Sequence, residues 1–462
     1  MPNKNIQSVE NGLLTAASIH GLPRKSYNIM DRMIYFNVPG VSIAVINNGN
    51  IEWARGYGVL EMNGDQAVAP DTLFQAASIS KPVSAMMVLK LAEQGKLDLD
   101  RDVNDFLSSW KIPENEYTER NKVTLRGILS HTAGLTVHGF QGYGFDAEVP
   151  SLLQILNGES PANSAPIRVD VLPGSMFRYS GGGYTVMQQA IEDMADKAFD
   201  ELLKTEVLDH LNMNSSTFVQ PLPVQLRGNA ATGHIGTGIP VQGKWHIYPE
   251  KAAAGLWTTP TDLANFAIEI MKSCDNRSNK IISKNTVDNM LMAIQENYGL
   301  GLQVKKLGDN IIRFGHSGGN EGFRCYLVGY TGNGKGAVVM TNSDNGNLVT
   351  MEIVRSISNV YEWADFLPIE KQVNHQVSPD VYSQYVGKYQ HPDYPDFFVQ
   401  IEKDGSQLLF ELIQGATRWE LYPESETRYF FVEDETSVEF HKNGDGIFDT
   451  LILFSMELKK VA

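Results

Sequence analysis

Two cysteines in 462 residues, Cys274 and Cys325, lie in segments of different character and build neither a disulfide framework nor a CxxC metal or redox motif. Both read as buried free thiols. No stretch approaches the roughly 18 consecutive apolar residues of a membrane span. The leading MPNKNIQSVENGLLTAASIHG is interrupted by Asn, Glu, Ser and Gly before an apolar run of signal-peptide length can develop. It reads as an ordinary leading helix, and a cytoplasmic location follows by default, although a trimmed secreted chain would look the same. Positive charge is scarce too: 38 Lys and Arg stand against 54 Asp and Glu, a formal charge of -16. Such a surface repels phosphate backbones and anionic membranes, which sets aside nucleic acid and membrane as partners. Among ten histidines there is no HExxH or HxHxDH spacing and no close Cys/His cluster, so no metal or other cofactor is expected. The NGDGIFD stretch at 443–449 lacks the alternating ligands and terminal Glu of a calcium loop and reads as a hairpin turn.

What remains is ordinary globular composition, 42% hydrophobic and 20% charged, over a length that suggests about two to three domains. VSIAVI, an Asn48-Gly49 turn and IEWARGYG predict a hairpin. Val83, Met87 and Leu91 share one helical face, with Gly95 placed as a C-terminal cap. Thr124 precedes a short helix carrying Leu125, Ile128 and Leu129, ended by Gly134, and a third helix is predicted over 184–195. Strands return near 311–314, 324–330 and 336–341, followed by a helix over 347–362. Strands at both ends of a helical middle imply an α+β domain over 1–365 whose ends meet in one sheet. A stretch with two prolines and no period, 366–379, reads as a linker. Beyond it, over 380–462, short aromatic and β-branched runs alternate with turn signals, which predicts a small antiparallel barrel or sandwich.

Ser78-Ile79-Ser80-Lys81 opens the helix that carries Val83, and residues three apart share a helical face, so serine and amine can touch. A serine hydroxyl needs a base before it attacks, and a lysine serves only if part of its population is neutral. The helix start adds backbone N–H groups and a positive dipole end suited to an oxyanion. This segment, DTLFQAASISKPVSA, is accompanied by TLRGILSHTAGL, PGSMFRYSGGGY, GLWTTPTDLANFA, YGLGLQV and GHSGGNEGF. Together, from about Val38 to Trp363, they resemble the serine β-lactamase and penicillin-binding family, in the branch of class C β-lactamases, D-specific peptidases and related carboxylesterases. The resemblance implies a β-lactamase/transpeptidase-like fold: an antiparallel sheet with flanking helices and a helical subdomain. The C-terminal segment is similar to the lipocalin-like barrels appended to some members.

The same resemblance implies Ser78 as the acylated residue, with Lys81 and Tyr179 handling protons. It puts His316, Ser317 and Gly318 on a strand flanking the cleft, and the oxyanion hole at the N–H groups of Ser78 and Gly319. Two departures stand out. Tyr179-Ser180-Gly181 ends in glycine where many β-lactamases have Asn, leaving no side-chain amide to grip a substrate carbonyl. His316 replaces the lysine of class C β-lactamases, as in D-peptidases and DD-carboxypeptidases. The expected substrate is a small molecule or short peptide: first an amide of a D-residue-containing peptide, then a carboxylic ester, then a β-lactam, cleaved or bound in a slowly acylated sensor. Gly315-His316-Ser317-Gly318-Gly319 also satisfies GxSxG, which would make Ser317 the nucleophile, but that elbow requires strand, turn and helix, and strand-like FRCYLVGY follows here. His131 reads as a structural histidine at a helix end.

Overall fold

A computed structural model describes residues 4–308, 310–363, 365–394, 396–412 and 417–461. The chain divides into two compact units, one of residues 39–235 and 240–346, the other of residues 1–38, 236–239 and 347–462.

The first unit is built on a six-stranded antiparallel sheet. Gly40–Asn47 (β1) and Asn50–Gly58 (β2) form the expected hairpin. Asn48 and Gly49 both take positive φ, which the tight hairpin turn requires. Gln303–Lys306 (β3), Ile312–Asn320 (β4), Phe323–Tyr330 (β5) and Gly336–Thr341 (β6) complete the order β2-β1-β6-β5-β4-β3. β1 and β6 are buried along their length, apart from the end of β1 at Asn47, which is why VSIAVI and GAVVMT do not alternate. Helix Pro260–Cys274 starts on a Thr259 cap with Pro260 in its first turn. It packs on the sheet where Gly329 and Gly336 leave room for Met271.

Helix Ser80–Glu93 is buried from Ser80 to Leu91, so it runs through the core instead of presenting one face to it. Leu125–Leu129 is capped by Thr124, whose hydroxyl accepts from the Gly127 N–H at 3.1 Å. The third expected helix begins at Gly181, three residues before its apolar period becomes visible, because Ser180 caps a glycine-only first turn. Among the described residues no helix is long and apolar enough to cross a membrane.

The second unit contains a closed eight-stranded antiparallel barrel: Gly387–Gln390 (β7), Phe398–Asp404 (β8), Gln407–Leu412 (β9), Thr417–Pro423 (β10), Arg428–Phe430 (β11), Ser437–Lys442 (β12), Phe448–Leu453 (β13) and Met456–Lys460 (β14). Closure leaves no open edge. Tyr385 lies buried against Phe440, ring centroids 4.4 Å apart, and Trp419 stacks on Phe410.

Two expectations need correction. The leading segment is not one helix: Lys4–Glu10 is helical, and Ala17–Ile19 is a strand paired in parallel with Ile369–Lys371. At Gly12 a Cβ would fall 2.4 Å from the Ser8 carbonyl, and buried Leu13 pairs with Tyr27 in an isolated antiparallel bridge. For the same reason residues 366–379 are tied down. Ile369–Lys371 takes part in that pairing, and the Asn374 N–H donates to the Pro423 carbonyl at 2.8 Å. Residues 1–38 and the helix Gly346–Tyr361 from Asn347 onward accordingly group with the barrel. A buried ion pair joins them, with Arg32 Nε donating to Glu352 Oε2 at 2.7 Å.

Candidate active site

Ser78 sits in the single 3-10 turn Ala77–Ile79 that leads into helix Ser80–Glu93. Ala77, just before it, is held at φ 49°, a conformation that costs a non-glycine residue energy and persists only where the surroundings impose it. Ser80 supplies part of that imposition: its hydroxyl donates to the Ala77 carbonyl at 2.6 Å and accepts from the Leu256 N–H at 3.0 Å. The second serine of SISK is therefore a fastener for the turn. Lys81, one helical turn beyond Ser78, is buried, and its Nζ lies 3.0 Å from Ser78 Oγ and 2.9 Å from the Ala253 carbonyl.

Tyr179 precedes the Ser180 cap of helix Gly181–Ala195, and Lys81 Nζ lies 5.0 Å from its ring centroid. His131 orients this segment: Nδ1 accepts from the Ser180 N–H at 3.1 Å, and its ring lies 4.2 Å from that of Tyr179. His131 stands just past the end of helix Leu125–Leu129, consistent with a structural part.

Ser78, Lys81, Tyr179, His316, Ser317 and Gly319 all line one cavity of about 430 Å3. Beyond Gly315, strand β4 has left its partner β3, and its last residues run beside the Ala77–Ile79 turn. Gly318 and Gly181, which the family resemblance assigns to substrate binding, do not line the cavity. Gly318 is what lets β4 approach: a Cβ there would lie 2.2 Å from the Ala76 carbonyl and 2.5 Å from Cys325 Sγ. At Gly181 a Cβ would press on the His138 carbonyl and the Phe140 ring, both at 3.1 Å. Ser317 lies within a strand that hairpins into another strand, so no elbow exists at GxSxG. Of the two thiols, Cys325 is buried and Cys274 partly so.

Gly318→Ala should cost about 1–3 kcal/mol, the range of an overpacked core, and lower turnover by pushing β4 away from Ser78. Gly319→Ala meets only the Arg324 side chain, at 3.4 Å, and should fold with near wild-type stability. Denaturant titration of the two variants checks this, and equal stability would show that the close approach at Gly318 is unimportant.

His316 is buried and pushed down to about 3, chiefly by burial and secondly by the charge of Lys81. Nδ1 lies 2.6 Å from the Ser317 carbonyl, an acceptor, so Nδ1 carries the proton. Nε2 then accepts from the Tyr298 hydroxyl at 3.0 Å. Burial holds the Tyr298 hydroxyl protonated, and both imidazole nitrogens are used within the protein. Sequence reasoning missed Tyr298 as this partner, and missed His138, Phe140, Phe177, Gln303 and Asn320 in the lining. Tyr298 and Gln303 were within reach, since both belong to YGLGLQV.

A histidine whose folded-state value lies below its unfolded one binds fewer protons when folded, so its share of stability falls as pH drops from about 6.5 toward 3. For His316 the slope should be about 1.4 kcal/mol per pH unit in that window. His316→Gln should remove it, which denaturation between about pH 4 and 6 would measure. An unchanged slope would mean that His316 titrates normally. Among the described residues no group of three or more His, Cys, Asp or Glu is placed to hold a metal ion.

Comparison with known proteins places the chain in a family. Residues 31–356 match the beta-lactamase family and residues 371–462 match a family described as a domain of unknown function, DUF3471. The chain belongs to the beta-lactamase family, a family of serine hydrolases. Penicillin-binding protein 4* of Bacillus subtilis is 22% identical over 424 residues, covering 86% of this chain and 89% of that protein. Among solved structures, the octameric penicillin-binding protein homologue from Pyrococcus abyssi aligns with a TM-score of 0.63 at 22% identity, over 94% of this chain and 98% of its own. A beta-lactamase/D-alanine carboxypeptidase from Yersinia pestis aligns with a TM-score of 0.57 at 19% identity, over 72% and 97%. These likenesses support the β-lactamase/transpeptidase-like fold.

Proposed function

We propose that this protein hydrolyses its substrate through an acyl-serine intermediate on Ser78. The observation that carries the reading is the 3.0 Å contact between Lys81 Nζ and Ser78 Oγ at the start of a buried helix. With Lys81 neutral, the Ser78 proton passes to Nζ as Oγ attacks the substrate carbonyl, and the Ala253 carbonyl keeps the amine aimed. The N–H groups of Ser78 and Gly319 receive the oxyanion, each donor of this kind contributing a few kcal/mol. Lys81 returns that proton by way of Tyr179 to the leaving group as the bond to it breaks, which restores the neutral amine and phenol. A water then attacks the acyl-serine, giving up its proton to the same relay, and Ser78 Oγ leaves as the hydroxyl.

The substrate we infer is an amide of a short D-residue-containing peptide. Its support is His316 in place of a class C lysine, together with the D-alanine carboxypeptidase named for the similar Yersinia pestis structure. A carboxylic ester is the second reading, favoured by Gly181, which offers no side chain to a substrate carbonyl. Cleavage of a β-lactam comes third. A panel of N-acetylated D- and L-aminoacyl amides, p-nitrophenyl esters and nitrocefin separates the three. Faster turnover of D- than of L-aminoacyl amides, and of both over esters, supports the first, and turnover of esters alone replaces it with the second.

A further inference from the structure

The charge inventory of the cleft goes beyond this reading while resting on it. Among the described residues that line the cavity, Lys81 is the only lysine or arginine, and no carboxylate side chain borders it. Lys81 is committed to Ser78 and to the Ala253 carbonyl. His316 has both nitrogens in use, and burial, with the nearby Lys81, pushes the His138 value down. The Arg324 guanidinium reaches to about 3.5 Å from where a Gly319 Cβ would stand. It too is occupied, 2.9 Å from Asp344 and donating to the Asn320 and Phe323 carbonyls.

A substrate carboxylate would therefore find no cation except Lys81. Bound there, it would occupy the space in which Ser78 must attack. A substrate ammonium would find no carboxylate at all and would lose its hydration against Phe140 and Phe177. What the cleft does offer is a neutral amide. Gln303, at the exposed start of β3, lines the cavity and makes no side-chain hydrogen bond among the described residues, leaving a donor and an acceptor free. Asn320 is less available, its Nδ2 being engaged by Gln75 Oε1 at 2.8 Å and the Ala254 carbonyl at 3.2 Å.

We propose that the cleft selects acyl groups bearing no charge close to the scissile bond, and that Gln303 is the residue that sets this selectivity by pairing with a neutral polar group of the substrate. Short peptides would then be accepted when their terminal ammonium and carboxylate are blocked or lie outside the cavity.

The test uses the full chain and three p-nitrophenyl esters of equal acyl length, ending in an N-methyl amide, a carboxylate or an ammonium group. Measurements are made at about 1 M NaCl, where the Debye length is about 3 Å and the field of the -16 charge is screened. The neutral ester is expected to exceed each charged one in kcat/KM by about tenfold or more, the scale of leaving a charge unpaired. Gln303→Lys should raise the carboxylate ester relative to the neutral one by about tenfold, and Gln303→Glu should do the same for the ammonium ester. Equal turnover of a charged and the neutral ester by the wild type overturns the selectivity, and unchanged ratios in both variants overturn the role of Gln303. A Ser78 that is labelled by a fluorophosphonate while a charged ester is preferred separates failure of this inference from failure of the acyl-serine reading. No labelling and no ester turnover would overturn both.

Discussion

Ser78→Ala is expected to lower hydrolysis of every substrate by about 10³-fold or more while leaving the protein folded. The loss is large because the variant removes the atom that becomes acylated, and nothing in the cavity is placed to replace it. Ser317, the other serine in the lining, lies on strand β4 without a lysine one helical turn away. The fold should survive because the strained turn at Ala77 is fastened by Ser80, whose two hydrogen bonds do not involve the Ser78 hydroxyl. Circular dichroism and thermal melting close to wild type, with activity lost, would agree with this. Retained activity in Ser78→Ala combined with a dead Ser317→Ala would assign the nucleophile to the strand.

Lys81→Ala and Tyr179→Phe should each depress kcat by about 10²- to 10⁴-fold, the usual contribution of a positioned acid or base, with little change in substrate affinity. Lys81→Ala also removes a buried amine that touches Ser78 and Ala253, so its melting temperature must be measured beside its rate. Tyr179→Phe keeps the ring that packs on His131 and removes only the hydroxyl, which makes it the cleaner probe. Because the base must be neutral to accept a proton, activity should rise with pH along an acidic limb.

His316 cannot produce such a limb near neutral pH, since burial and Lys81 hold it down to about 3. His131 and His138 are also displaced downward. A limb that persists in His316→Gln therefore does not come from His316. Its disappearance in that variant would give the titration to the histidine.

The part of the site that follows local rules was legible in the sequence. Ser78 and Lys81 are three residues apart on a helix, so their contact needs no tertiary information. Motif resemblance carried Tyr179 and Ser317 to the same cleft. The purpose of Gly318 was not legible, because it depends on the Ala76 carbonyl and Cys325 Sγ, which reach it through the fold. Nor was the role of His316. Its sequence neighbours say nothing of Tyr298, which arrives across the turn at β3 and converts a candidate substrate ligand into a neutral, internally paired ring.

In the fold, the same division holds. The Asn48-Gly49 hairpin and the Thr124 cap are local signals and appear as expected. The pairing of Ala17–Ile19 with Ile369–Lys371 joins segments some 350 residues apart, and no periodicity in either could announce it. The closed barrel lies between these cases: its alternating aromatic runs predict antiparallel strands, while closure depends on β7 meeting β14, which only the assembled sheet determines.

The acyl-serine account stands or falls on where a mechanism-based phosphonylating reagent becomes attached. Treatment of the purified chain with a fluorophosphonate, followed by intact mass and peptide mapping, should give a single adduct on Ser78 that is absent from Ser78→Ala and slowed in Lys81→Ala. An adduct on Ser317, or an unmodified chain that still turns over substrate, would contradict it.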